Sequence, residues 1–215
     1  MIKYFIILTI LLNNSLSAQK IESSVALSHY VFNQFMEGQV KLKSGETYSQ
    51  VLNYNILTGE VIFNKDGKYL AIQKPENVDT VYINGRKFIP ADKKFYELLS
   101  DSPVPLFIEF TYVIKQPGTS TGYGATTTTT AASSYTSLVN SGGAYNLQLP
   151  DDFKVVPGYS YLIRKDGKYQ KANNLKQLYK IFPDKKALID DRVRKNNTSF
   201  SKREDIVTLI KGIEQ

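Results

Sequence analysis

His29, in the segment ALSHYVFNQF, is the sole histidine of the chain. A catalytic imidazole needs a nucleophile within hydrogen-bond reach and a third group that orients it. No Gly-x-Ser-x-Gly elbow and no His-x-x-x-His pair accompanies it, so a structural or surface role is expected. Carboxylates are the next candidates, because glycosidases hydrolyse with two acids facing each other across a cleft. Asp151-Asp152 and Asp190-Asp191 are adjacent in sequence. Consecutive side chains on a strand or helix point in different directions, so adjacency alone makes neither pair a catalytic dyad. Gly122-Tyr123-Gly124 lacks the lysine and the strand-to-helix setting of a phosphate-binding loop. Cysteine is absent, which excludes thiolate catalysis, cysteine-based zinc sites and a lipid-anchored cysteine. No catalytic residue, cofactor or metal is expected, and the chain reads as a non-enzyme.

The elements that would position any site begin after an address signal. Lys3 is followed by the short apolar run Tyr4–Leu12 and a polar segment ending at Ala18, the pattern of a secretory signal peptide. Cleavage after Ala18 would start the mature chain at Gln19. The run is shorter than the roughly 20 residues a membrane-spanning helix needs. An exported chain without disulfides must rest on its own apolar core. The net charge of +7 is uneven. Residues 19–163 hold 12 basic and 13 acidic side chains, whereas residues 164–215 hold 14 and 7. That basic end reads first as a solvated helix face and second as a contact for an anionic surface. Nucleic acid is not an expected partner, since no aromatic-basic module of the RNA-binding kind is present.

Between residues 36 and 115 apolar residues alternate with polar ones. Met36, Gly38, Val40 and Leu42 fall on one face, as do Tyr48, Gln50, Leu52 and Tyr54. Val104, Leu106, Ile108, Phe110, Tyr112 and Ile114 form the longest run of period two, which predicts a half-buried strand. Turns follow from KSGE, LTGE, Asn84-Gly85 and KDGK, because Gly accepts the positive φ that tight hairpins demand. KDGKY occurs twice, at 65–69 and 165–169, which reads as the same turn chemistry used twice. Tyr159, Tyr161 and Ile163 predict another strand. Asn174 is expected to cap a helix over 175–182, a second helix follows over 185–195, and Ser201 to Glu204 has the form of a capping box before Ile206, Leu209, Ile210 and Ile213. Strands first and helices last predict an α+β protein, mainly antiparallel β: a β-sandwich or partly open barrel with a C-terminal helical segment. The expected organisation is a signal peptide at 1–18, a β domain at 19–170 and a basic helical segment at 171–215 packed on it.

No charged residue lies between Lys115 and Asp151. The Ser/Thr/Gly-rich stretch 116–144 is expected to be a mobile flap joining two strands of one sheet. Tyr123 and Tyr135 are its large side chains, and they are the candidate partner-binding residues; packing of the loop onto the sheet is the competing role. LNYNILTGEVIF (52–63), VDTVYINGRKFIP (78–90), KFYELL (94–99), GYG (122–124), AYNLQLPDDFKV (144–155) and LYKIFPDKKALI (178–189) together resemble a family of uncharacterised exported proteins from Bacteroidetes-type Gram-negative bacteria. The likeness covers most of the mature chain. It implies the source and compartment; the family has no established activity, so it implies no site residue. The expected function is a non-catalytic envelope protein, a binding or accessory module in the periplasm or at the outer membrane, with another envelope protein or an anionic surface as partner. The alternatives are a carboxylate-dependent glycan hydrolase and an oligomeric surface structural protein.

Overall fold

The computed structural model describes residues 29–115, 119–121, 125–127 and 154–214. The signal segment, Tyr123, Tyr135 and Asp151-Asp152 lie outside the described residues. In chain order the elements are β1 (Met36–Leu42), β2 (Thr47–Asn55), β3 (Glu60–Lys65), β4 (Lys68–Ala71), β5 (Val78–Ile83), β6 (Arg86–Ala91), β7 (Lys94–Ser100) and β8 (Leu106–Lys115). They continue with β9 (Thr119–Thr121), β10 (Ala125–Thr127), β11 (Lys154–Lys165), β12 (Lys168–Lys171), α1 (Leu175–Ile181), α2 (Lys186–Asn196) and α3 (Arg203–Glu214). β9 and β10 form a small ladder of their own within the 116–144 stretch. The other ten strands form one antiparallel sheet, ordered β12-β11-β8-β7-β6-β5-β1-β2-β3-β4. The fold is therefore α+β and mainly antiparallel β, as the alternation predicts, and the sheet is not closed into a barrel.

Two meanders, β1 to β4 and β5 to β8 continued by β11 and β12, meet where β1 pairs with β5. The sheet then curls until its two halves face each other. Three other strands separate β2 from β7 within the sheet, yet Tyr54 on β2 donates its hydroxyl to the Phe95 carbonyl of β7 at 2.7 Å. The Phe95 amide in turn donates to the Gly59 carbonyl at 2.8 Å. The Tyr54 ring lies 5.2 Å from Phe88 and 5.1 Å from Phe110, distances at which aromatic pairs contribute beyond their buried area. Burial raises the Tyr54 hydroxyl pKa, and nearby carboxylates led by Glu109 add to the shift. Gly38 makes close approach of β1 and β5 feasible. A Cβ there would sit 2.4 Å from the Tyr82 carbonyl oxygen and 2.9 Å from the Leu52 side chain.

One face of β8 serves two cores. Leu106 and Ile108 pack with Tyr161 and Ile163 of β11 against α1, α2 and α3. Further along, Phe110 and Tyr112 turn into the core under the curled half, which holds Leu52, Tyr54, Val81 and Phe88. The helical stripe expected from the sequence forms: Ile206, Leu209, Ile210 and Ile213 are all buried in the first of these cores. Asn174 caps α1 as predicted, accepting from the Gln177 amide at 3.0 Å. The capping box does not form. α3 starts at Arg203, Ser201 Oγ pairs with Ser199 Oγ at 2.7 Å, and Asp205 accepts from the Ser199 amide at 2.9 Å. The tight preceding turn thus takes the hydroxyl before the helix can use it.

The two KDGKY segments occupy equivalent places. One forms the β3–β4 turn and the other the β11–β12 turn, the hairpins at the two edges of the sheet. Asp66 and Asp166 both have φ of 52°, followed by Gly67 at 78° and Gly167 at 73°, the paired positive φ of the turn that suits a twisted hairpin. Gly38→Ala is expected to lower stability by about 1–3 kcal/mol, the range for overpacking, because the carbonyl it meets belongs to a paired strand. Urea denaturation measures this; an unchanged midpoint would show that β1 and β5 can separate freely.

Candidate functional site

The most heavily constructed polar cluster lies inside the protein. Glu97 is on the inward face of β7, between Phe95 and Leu99, and is only 3% exposed. Arg86, on the adjacent β6, grips both carboxylate oxygens, at 2.6 and 2.5 Å. Such bidentate, charge-assisted pairs are the strong members of their class. Arg203, in the first turn of α3, reaches the same carboxylate at 3.4 Å. The Arg86 guanidinium also sits 5.1 Å from the Phe32 ring, 5.6 Å from Phe88 and 5.5 Å from Phe110. That of Arg203 lies 5.3 Å from the Tyr159 ring. Cations over ring faces are held by the ring quadrupole. With two guanidiniums on one carboxylate, Glu97 is engaged in structure.

The sequence-derived candidates are scattered. His29 is buried, its carbonyl accepts from the Ile56 amide at 3.0 Å, and its ring lies 4.4 Å from that of Tyr30. Burial holds the His29 pKa below its ordinary value. Asp190 accepts from the Tyr179 hydroxyl, and Asp191 pairs with Lys195 at 2.9 Å one helical turn on; the two carboxylates take separate partners. No group of three or more His, Cys, Asp or Glu among the described residues could hold a metal ion. No helix among the described residues is long and apolar enough to cross a membrane.

Asn53 is a structural residue that pattern reading passes over. Fully buried on β2, it donates to the carbonyls of Phe32 and Gln34 at 2.8 and 3.1 Å and accepts from the Phe32 amide at 3.2 Å. Its side chain thereby supplies the partners the chain lacks where residues 32–35 leave the sheet.

The outward face of the sheet is different. The strand registers align one row of neighbours: Ser49 opposes Gln39, Gln39 opposes Tyr82, Tyr82 opposes Lys87, Lys87 opposes Leu98 and Leu98 opposes Phe107. At a strand spacing of roughly 4.8 Å, the row runs about 24 Å across six strands, and its last member, Phe107, is buried against Arg164 and Tyr169. Two hollows follow it. One, about 600 Å³, is lined by Glu37, Gln39, Ser49, Tyr82 and Asn84. The other, about 480 Å³, is lined by Tyr82, Lys87, Leu98, Asp101 and Arg164, with Lys43 and Asp79 at its margin. Arg164 extends over the Phe107 ring at 5.7 Å. Among the described residues Lys43, Lys87, Arg164 and Asp101 form no ion pair. Only the strand registers reveal this row, since its members come from six separate strands.

Comparison with protein-family models, with curated proteins and with solved structures finds no match for the chain.

Glu97→Gln leaves two guanidiniums facing a neutral amide. Removal of one member of a buried pair costs about 3–5 kcal/mol. Here both arginines are partly exposed, at 25% and 33%, so a loss of about 2–4 kcal/mol is expected, with Arg203→Ala costing about 1 kcal/mol. Urea titration of both variants checks the order; equal, negligible effects would remove the clamp role. His29 makes a separate prediction. Its folded pKa lies below the ordinary 6.5, so the unfolded chain binds the proton first as pH falls. Stability should decline as pH drops below about 6.5 and level off beneath the folded pKa. Denaturation curves on either side of that pH, compared with His29→Gln, should show the component disappear in the variant.

Proposed function

We propose that this chain is a non-catalytic exported envelope protein, a binding or accessory module that works in the periplasm or at the outer membrane. The observation that carries the reading is the contrast between the two faces of the sheet. Inward charge is consumed by Glu97 and its two arginines, whereas the outward face sets unpaired cations and a carboxylate beside two open hollows. Hollows of some hundreds of Å³ with a few convergent polar groups suit ligand binding. The apolar segment after Lys3, the lack of cysteine and the resemblance to exported proteins of Bacteroidetes-type bacteria support the compartment. The sheet edges weigh against assembly through strands: β4 and β12 are four residues long and begin with a lysine, a composition that discourages edge pairing.

Expression of the full chain in a Gram-negative host tests the export half of the reading. The mature product should appear in the periplasmic or outer-membrane fraction, and mass spectrometry should place its first residue at Gln19 or within a residue or two of it. An intact chain retained with cytoplasmic markers would overturn the proposal.

A further inference from the structure

We propose that the outward row of β2, β1, β5, β6 and β7 is a binding site for an extended acidic oligosaccharide, a glycan strand bearing carboxylate or sulfate groups. This rests on the binding-module reading above and names its ligand class. The shape favours a chain over a compact ion. The unpaired cations Lys43, Lys87 and Arg164 all line the second hollow, whereas the first carries none. The two hollows share Tyr82, so a ligand that fills both must cross the strands. A negative group of such a ligand would meet these cations while its neutral part lies in the first hollow.

The functional groups distinguish among polyanions. Gln39, Ser49, Asn84 and Tyr82 give the first hollow amides and hydroxyls, with the Glu37 carboxylate beside them, so this end suits the neutral hydroxyls of a sugar and not its acidic groups. Asp79 and Asp101 stand among the cations of the other. A carboxylate repels a densely charged phosphate backbone but accepts hydrogen bonds from sugar hydroxyls. Asp79 is partly compensated by Lys41 at 3.5 Å, while Asp101 has no ion-pair partner among the described residues. Extended peptides are usually captured by adding a strand to an open sheet edge. The trough instead crosses the sheet face, where the ladders between neighbouring strands already occupy the backbone groups. Tyr82 and Leu98 between the cations offer the apolar contact that the CH face of a sugar ring requires.

The test is calorimetric titration of the purified mature protein with three acidic oligosaccharides, containing galacturonate, sialic acid or sulfated sugar. The controls are a methyl-esterified galacturonate oligomer, a glutamate oligomer and a single-stranded oligonucleotide. At least one acidic glycan should bind, more weakly as salt rises, and the esterified oligomer should not. Lys87→Ala and Arg164→Ala should each weaken that binding about tenfold, the effect of losing one charge-assisted hydrogen bond. Lys87 is exposed, so its variant should keep the wild-type melting temperature. Failure of all three acidic glycans, equal binding of the esterified form, tighter binding of the peptide or the oligonucleotide, or indifference to both substitutions would each overturn the assignment. A protein that is exported yet binds no glycan refutes this inference and leaves the envelope reading standing; a cytoplasmic chain that binds glycan does the reverse.

Discussion

A carboxylate buried where two apolar cores meet constrains the rest of this structure. Glu97 projects from β7 between Phe95, which belongs to the core under the curled half of the sheet, and Leu99, which packs on the helical core. A charge in that place without partners would cost several kcal/mol, so two cations must reach it from different elements. Arg86 comes from the neighbouring strand, and Arg203 from the start of α3. The second reach fixes which turn of α3 faces the sheet. The far end of the same helix is fixed by Glu214, which accepts from Ser102 Oγ at 2.7 Å and the Val104 amide at 2.9 Å. Between those two anchors the buried isoleucines and Leu209 have one way to lie. Ion pairs of this kind add little net stability compared with apolar replacements; here their geometric consequence is the register of helix against strand.

That arrangement explains how an open ten-stranded sheet can be covered with so few helices. The ribbon of β8 and β11 is too long for three short helices to cover. Its first part is capped by α1 to α3, and its second by the sheet itself, folded back so that Tyr54 meets β7. Phe110 lies at the seam, packing on both cores. An open sheet leaves two edges exposed to intermolecular pairing. Both ends of this one are closed by the same turn, Lys-Asp-Gly-Lys, with lysines opposite each other at Lys65 and Lys68 and again at Lys165 and Lys168. Like charges opposed across a hairpin are mildly destabilising, and their presence at both edges fits a role in keeping other strands away.

Local chemistry made much of this legible. The turns at Asp66-Gly67, Asn84-Gly85 and Asp166-Gly167 are set by φ preference, and the alternation in β1, β2 and β8 by burial of one face, so both can be read within a few residues. The Asn174 cap is equally local. What the sequence did not reveal depends on distant pairs. Arg203 and Glu97 are 106 positions apart, and nothing near either residue signals the other. Asn53 looks like any polar strand residue until Phe32 and Gln34 turn towards it. Val104 satisfies the period of β8 but falls outside the strand, because its amide is taken by Glu214. The capping-box pattern at Ser201 failed for the opposite reason: an equally local partner, Ser199, lay closer.

The outward row raises a question that packing alone leaves open. Facing residues on paired strands stabilise a sheet by about 0.2–1 kcal/mol when their chemistry is complementary. This protein uses that device on the same face: Lys94 lies 3.7 Å from Glu109 across β7 and β8, and Lys41 lies 3.5 Å from Asp79 across β1 and β5. Lys87 departs from it. Its neighbours across the two adjoining strands are Tyr82 and Leu98, neither of which can neutralise an ammonium group. An acid at either position would have been the stabilising choice. Selection for stability would have little reason to leave a central strand with an uncompensated charge when complementary pairs are used elsewhere on the same face. Beside one hollow the sheet thus sets a paired carboxylate, Asp79, next to cations that stay unpaired among the described residues, Lys43, Lys87 and Arg164, so strand pairing accounts for the first and not for the others.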